Sequence, residues 1–161
     1  MQVLLMRHGE AVDTRIAGSD RDRWLSPSGR QTATKVGEAL RGLGLQFACI
    51  YTSPLVRAVQ TAEILAATQS EFRGPLEVQA SLSSERGSTA EALEPLSLAD
   101  DEDLIVLVTH MPKICTLGSR LCQLDTFPSF RTGSACLLQI DEGKGRVEWM
   151  LDPETLELKP C

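Results

Sequence analysis

The segment Leu104–Thr109 reads Leu-Ile-Val-Leu-Val-Thr and holds five consecutive apolar residues. A strand of that composition is buried on both faces, which happens in a parallel sheet covered by helices on each side. The rest of the chain alternates in the manner such a sheet needs. Val3–Arg7 is a second short apolar run without a helical stripe and predicts a buried strand. A polar loop spans Ala11–Trp24. Ser26-Pro27-Ser28-Gly29 then opens a helix, with Ser26 as cap and Pro27 in the first turn. Ala33, Val36, Gly37, Leu40 and Leu43 form its core stripe, and Gly42 and Gly44 end it.

Phe47–Ser53 predicts the next strand, and Pro54 starts a helix with Leu55, Ala58, Val59, Ala62, Leu65 and Ala66 on one stripe. Ser53 is read as that helix's cap. A short strand at Leu76–Val78, a short helix at Thr89–Leu96 and a helix at Pro112–Leu124 follow. Ala135–Ile140 and Arg146–Leu151, joined by Glu142-Gly143-Lys144-Gly145, predict a terminal hairpin. The expected fold is α/β, a three-layer sandwich with a mostly parallel central sheet. No repeat, low-complexity tract or linker divides residues 1–161, so a single domain is expected.

Bulk composition narrows the function. The chain has 161 residues, 42% hydrophobic and 24% charged, with a formal net charge of −6 and few aromatics. That balance excludes a nucleic-acid-binding surface as the main business of the chain, while leaving room for a local cationic pocket. No apolar run approaches the ~20 residues of a membrane span, and Arg7-His8 ends the N-terminal apolar stretch too early for a signal peptide. The five cysteines (Cys49, Cys115, Cys122, Cys136, Cys161) form no C-x-x-C pair and lie largely in apolar stretches. They read as thiols of a reducing cytoplasm, with Cys115 and Cys122 on one helix face in the core.

Chemistry gathers at three strand ends. In an open α/β sheet, ligands bind beyond the carboxyl ends of the strands. The first strand ends at Arg7-His8-Gly9, the second at Ser53-Pro54 with Arg57 in the following helical turn, and the third at Thr109-His110. Both histidines of the chain therefore meet two arginines at one sheet edge. A phosphoryl group in transfer spreads negative charge over three oxygens, which guanidinium forks grip bidentately at any working pH. A neutral imidazole of fixed tautomer can attack phosphorus in line. A second, protonated imidazole adds a donor. Gly9 admits close approach of backbone to phosphate, and the helix start near Arg57 adds a favourable dipole.

Arg7-His8-Gly9-Glu10, Ser53-Pro54-Leu55-x-Arg57-Ala58-x-Gln60-Thr61-Ala62 and Val108-Thr109-His110 resemble the histidine phosphatase superfamily, the phosphoglycerate-mutase-like fold. Leu25-Ser26-Pro27-Ser28-Gly29 also looks like that family's first-helix motif, with Thr32 where a Gln is usual. Chain length, His110-Met111-Pro112 and the Phe127–Ala135 segment are similar to the short SixA-type phosphohistidine phosphatase branch. The resemblance implies a metal-independent phosphatase without organic cofactor. In it His8 carries the phosphoryl group, Arg7, Arg57 and His110 bind that group, and water then removes it.

One departure bears on substrate. Relatives place an acidic proton donor two residues after a leucine. Here Leu82 is followed by Ser83 and Ser84, and Glu85 comes one place late. Glu85 is the candidate acid; the alternative is a solvated carboxylate beside Arg86. Glu10 is read as orienting Arg7 or capping its loop. The alternating Arg15, Asp20, Arg21, Asp22 and Arg23 read as a solvated loop or a contact for an acidic or phosphorylated partner. Trp24 and Trp149 read as packing residues. The expected substrate is phosphohistidine on a protein. The alternatives are a small phosphomonoester such as a sugar phosphate, a mutase reaction, which the short Ala62–Leu104 stretch disfavours, and a non-catalytic phosphoprotein-binding module. The expected setting is cytoplasmic, with no nucleic acid and no membrane as partner.

Overall fold

The computed structural model describes residues 1–83 and 85–160; Ser84, beside the displaced acid, and Cys161, the fifth cysteine, lie outside the described residues. The elements run β1 (Gln2–Arg7), α1 (Thr14–Ala17), α2 (Pro27–Gly42), β2 (Cys49–Thr52), α3 (Val56–Thr68), β3 (Leu76–Val78), α4 (Thr89–Leu93), β4 (Leu104–Thr109), α5 (Lys113–Cys122), β5 (Ala135–Asp141), β6 (Lys144–Leu151) and β7 (Leu158–Lys159). Short 3₁₀ turns at Ala80–Leu82 and Glu94–Leu98 flank α4.

The strands form one seven-stranded sheet in the order β3-β2-β4-β1-β5-β6-β7. β3, β2, β4 and β1 are mutually parallel, whereas β5, β6 and β7 continue the sheet antiparallel. The sheet is thus mixed: its parallel half carries the strand ends singled out above, and the terminal hairpin extends it. β4 is buried along its whole length and sits between β2 and β1. Its alternate residues feed two separate cores. Val106 and Val108, with Leu4 and Met6 of β1, pack against Val36, Leu40, Ala58, Ala62 and Leu65 of α2 and α3. Ile105 and Leu107, with Val3 and Leu5, pack against Ala92, Ile114 and Leu117 of α4 and α5. These two cores make the three layers.

Some elements differ from the sequence expectation. β2 is shorter than the predicted strand, and α3 begins at Val56 with Leu55 as an N-cap that makes no side-chain capping bond. Ser53 therefore does not cap α3. The short helix after Ser88 turns 3₁₀ at Glu94-Pro95, where proline can supply no N–H to an α-helical ladder. The loop after β1 contains the single turn α1, capped by Asp13. Trp24 is 39% exposed, so it is not a core residue, while Trp149 does pack against the α2–α3 core. Cys122 is buried as expected in the core beneath α4 and α5, and Cys115 is half-buried at the edge of that same core.

The register levels the carboxyl ends of the parallel strands, pairing Arg7 with Thr109 and Thr52 with Val108. The loop leaving β1 is then pressed onto the start of α2. Ser26 caps that helix through Gly29 N–H at 3.0 Å, as its sequence predicts. A Cβ on Gly29 would lie 2.0 Å from the Glu10 carbonyl oxygen, and one on Gly9 would lie 2.8 Å from the Gly29 carbonyl oxygen. Two backbones meet there with no room for a side chain. Gly29→Ala is expected to lower stability by about 1–3 kcal/mol, the usual cost of forcing apart a packed contact. Urea unfolding should show this, with the exposed Gln31→Ala on the same helix as a near-neutral comparison.

Candidate active site

Three parallel strands deliver three groups to one cleft of about 430 Å³, lined by Arg7, His8, Glu10, Ala11, Asp20, Arg23, Arg57, His110, Met111 and Thr132. β1 brings Arg7 and His8, and the His8 N–H continues the ladder to Thr109 O at 3.1 Å. β4 brings His110. β2 leads through Ser53, whose N–H bonds Val108 O at 3.0 Å, into the first turn of α3 and Arg57. The four residues expected from the sequence are thus brought together, with the two imidazole centroids 5.2 Å apart.

His8 is 7% exposed, and its Nδ1 lies 2.7 Å from the Gly9 carbonyl oxygen. A carbonyl can only accept, so Nδ1 carries the proton and Nε2 holds the free lone pair. Arg57 Nε donates to that Nε2 at 3.3 Å. Burial, above all, pushes the His8 pKa down to about 3, and the positive surroundings of His110, Arg57 and Arg7 add to this against the raising effect of the Gly9 carbonyl. The ring is neutral at neutral pH.

His110 is also buried, and its pKa is lowered to about 4, first by burial and then by Arg57 and Arg7, with Asp20 opposing. Its Nε2 lies 2.6 Å from Ser53 Oγ, and its Nδ1 has no hydrogen-bond partner among the described residues. A hydroxyl can turn to donate or accept. The Ser53 hydroxyl can therefore pair with the ring in either protonation state. This is the role Ser53 has in place of capping α3.

Arg7 reaches across the cleft floor. Its Nη1 donates to Phe130 O at 2.6 Å, and its Nε is buried without a hydrogen-bond partner among the described residues. Burial lowers its pKa from the ordinary value, but a guanidinium stays charged. Arg57, 6% exposed, is held by the loop after β1. Nη1 donates to Asp20 O at 2.6 Å and Nη2 to Asp20 Oδ2 at 3.0 Å.

The surrounding motif residues fasten this loop. Gln60 Oε1 accepts from Leu25 N–H at 2.8 Å. Thr61 Oγ1 donates to Arg57 O at 2.7 Å and accepts from Gly9 N–H at 3.1 Å. The Gly9 amide is thereby occupied and Gly9 does not line the cleft, so the glycine is required for packing against Gly29. Glu10 does not touch Arg7. Its carboxylate accepts from Ser28 and Ser26 at the start of α2, and these bonds lower its pKa. Glu85 is exposed and does not line the cleft; its N–H donates to Ser83 Oγ at 3.3 Å. Asp20 and Arg23 line the cleft, whereas sequence reasoning placed them in a solvated loop or at a contact for an acidic or phosphorylated partner. Among the described residues no group of three His, Cys, Asp or Glu side chains is placed to hold a metal ion. No helix there is long and apolar enough to cross a membrane.

Residues 3–83 match the profile of the histidine phosphatase superfamily, branch 1. The chain is 34% identical to an uncharacterised protein of a Picosynechococcus strain over 96% of this chain and 93% of that protein. The chain belongs to the histidine phosphatase superfamily. It is also 29% identical to the phosphohistidine phosphatase SixA of Escherichia coli K12, over 98% of both chains. A solved structure of the protein histidine phosphatase SixA with tungstate superposes with a TM-score of 0.86 at 28% identity. It covers 98% of this chain and 100% of that one. Within the superfamily the chain is of the SixA type, and its α/β sandwich is the phosphoglycerate-mutase-like one.

Both cleft histidines are buried as neutral rings, and this fixes a pH dependence. Their ordinary pKa is 6.5 and their folded values are about 3 and about 4. Between those limits the unfolded chain binds protons that the native chain does not, so stability falls as pH falls. The urea midpoint is expected to drop from pH 7 to pH 4.5, and the drop should be shallower in His8→Gln.

Proposed function

We propose that this protein hydrolyses phosphohistidine on a protein partner through a phosphoryl group carried on His8. The observation that carries the reading is the state of His8: buried, neutral, with Nδ1–H tied to Gly9 O and the Nε2 lone pair beside the Arg57 guanidinium. That is the form an imidazole nucleophile requires. In the first half-reaction Nε2 attacks phosphorus, the substrate P–N bond breaks, and the departing imidazole takes a proton from solvent. In the second, the oxygen of water attacks phosphorus, the bond to Nε2 breaks, and orthophosphate leaves with the water's two protons, returning His8 to its neutral form. Arg7, Arg57 and His110 hold the equatorial oxygens; a dianion arriving beside His110 favours its protonated form and gives Nδ1 or Nε2 a proton to donate.

The leaving group argues for phosphohistidine over a sugar phosphate. An alkoxide leaves poorly and depends on a positioned acid. The two carboxyl groups lining the cleft have lowered pKa values, Glu10 through Ser28 and Ser26 and Asp20 through Arg23 and Arg57. Each is therefore an ionised carboxylate at neutral pH and a poor proton donor. A phosphoramidate, once protonated on nitrogen, needs no such acid. The 98% mutual coverage with a phosphohistidine phosphatase supports the same choice.

His8→Ala is expected to abolish turnover while circular dichroism stays native. Quenched wild-type enzyme should carry an acid-labile, alkali-stable phosphoryl group on His8; trapping it on another residue defeats the proposal. Arg57→Lys keeps the charge and loses the fork, so kcat/KM should fall roughly 10²-fold or more. A phosphohistidine protein should be turned over faster than a panel of sugar phosphates. The reverse order, at kcat/KM near ~10⁴ M⁻¹s⁻¹ for an ester, would favour the small-molecule reading.

A further inference from the structure

Asp20 lies in the cleft and takes no part in the reaction just described. Its position is set by Arg57. In a planar guanidinium, Nε and Nη2 project from one edge, and that edge grips two oxygens of a single oxyanion. Here Nε donates to His8 Nε2 at 3.3 Å and Nη2 donates to Asp20 Oδ2 at 3.0 Å. A phosphoryl group joined to His8 Nε2 meets this edge with Nη2 already bonded to the Asp20 carboxylate, and competes with it for the guanidinium. The carboxylate therefore lies beside the place a phosphoryl oxygen would take, on the same guanidinium.

We propose that Asp20 is an internal substitute for the phosphoryl group: it occupies the Arg57 edge in the empty enzyme, yields it to the incoming phosphoryl group, and returns to it as orthophosphate leaves. This rests on the reading of the cleft as a phosphoryl site. The exchange needs only the side chain to move. Arg57 Nη1 is bonded to the Asp20 main-chain oxygen, at 2.6 Å, so the backbone of the loop has its own hold on the guanidinium. The neck of the loop is closed by the Ala11–Leu25 bridge and by Val12 N–H to Trp24 O at 2.9 Å. The Asp20 side chain is 60% exposed, and its other oxygen accepts from Arg23 Nη1 at 3.0 Å. Rotation about its χ1 bond takes the carboxylate to solvent with the loop still in place.

The arrangement solves two problems at once. Arg57 is buried, and an unpaired buried guanidinium would be costly in the empty state. A cleft with three arginines would also hold its anionic product, and a competing carboxylate weakens that hold. Asp20 lowers the affinity for every oxyanion alike, which shortens the lifetime of the product complex.

The test is equilibrium binding of orthovanadate and orthophosphate to the full chain, as wild type and as Asp20→Asn, Asp20→Ala and Asp20→Glu, beside steady-state kinetics. Asp20→Asn and Asp20→Ala are expected to bind both oxyanions about 5-fold more tightly, as loss of an exposed ion-pair competitor should give. Product inhibition should strengthen in parallel. Asp20→Glu, which keeps the carboxylate, should stay near wild type. Unchanged or weaker oxyanion binding in both Asn and Ala variants overturns the proposal. A fall in kcat at unchanged oxyanion affinity also overturns it, because that pattern belongs to a proton-transfer group. The underlying reading fails separately: it falls if wild type binds no vanadate, or if Arg57→Ala binds it equally well.

Discussion

The hydrogen bond between His8 Nδ1 and the Gly9 carbonyl is the contact on which the cleft depends. It joins a ring to the backbone of the next residue, so its geometry is only as firm as the turn that leaves β1. That turn is held from three sides. Thr61 takes the Gly9 amide, Gly29 lets α2 press against Gly9 and Glu10, and Gly133 N–H reaches the Arg7 and His8 carbonyls at 3.2 and 3.0 Å. The motif around Arg57 thus has two tasks. Arg57 supplies charge, and Gln60 and Thr61, on the same helix, fasten the loops that set the histidine's tautomer.

The charge pattern follows from this anchoring. Burial and the two guanidinium groups of Arg57 and Arg7 act together to keep the imidazoles neutral, and burial is the largest cause of the lowered pKa at both histidines. The arginines are kept in place by main-chain oxygens, Phe130 O for Arg7, Asp20 O for Arg57 and Val12 O for Arg23. Such acceptors orient a guanidinium without neutralising it, and the single Asp20 carboxylate shared by Arg57 and Arg23 offsets only part of their charge, which leaves the cleft attractive to an anion.

Much of this was legible in the sequence, for physical reasons. The apolar run at Leu104–Thr109 matched β4 to the residue, because full burial leaves a composition that no exposed element shares. Arg7, His8, Arg57 and His110 were placed together by strand ends alone, since a parallel sheet brings its carboxyl ends to one edge. Local rules failed where the deciding partner is distant in sequence. Ser53 looked like a helix cap, but its hydroxyl meets His110, 57 residues away. Asp20 looked solvated among alternating charges, and most of its side chain is exposed; a single oxygen turned inward to Arg57 decides its role. The antiparallel half made the sheet mixed because the hairpin pairs with β1, and the little β7 has no sequence signal of its own at two residues.

The two sides of the cleft are built on parts of very different permanence. His8 and His110 issue from β1 and β4, which have neighbours on both edges and a core on each face. Amides in such strands exchange with solvent only when the whole molecule opens. The loop carrying Asp20 and Arg23 rests on one short helical turn with no buried residue, closed by a narrow neck. Its amides belong to the class that exchanges through small local openings. The imidazoles are thus set in the slowest-exchanging framework of the molecule, and the facing wall can breathe many times between global unfolding events while their alignment persists.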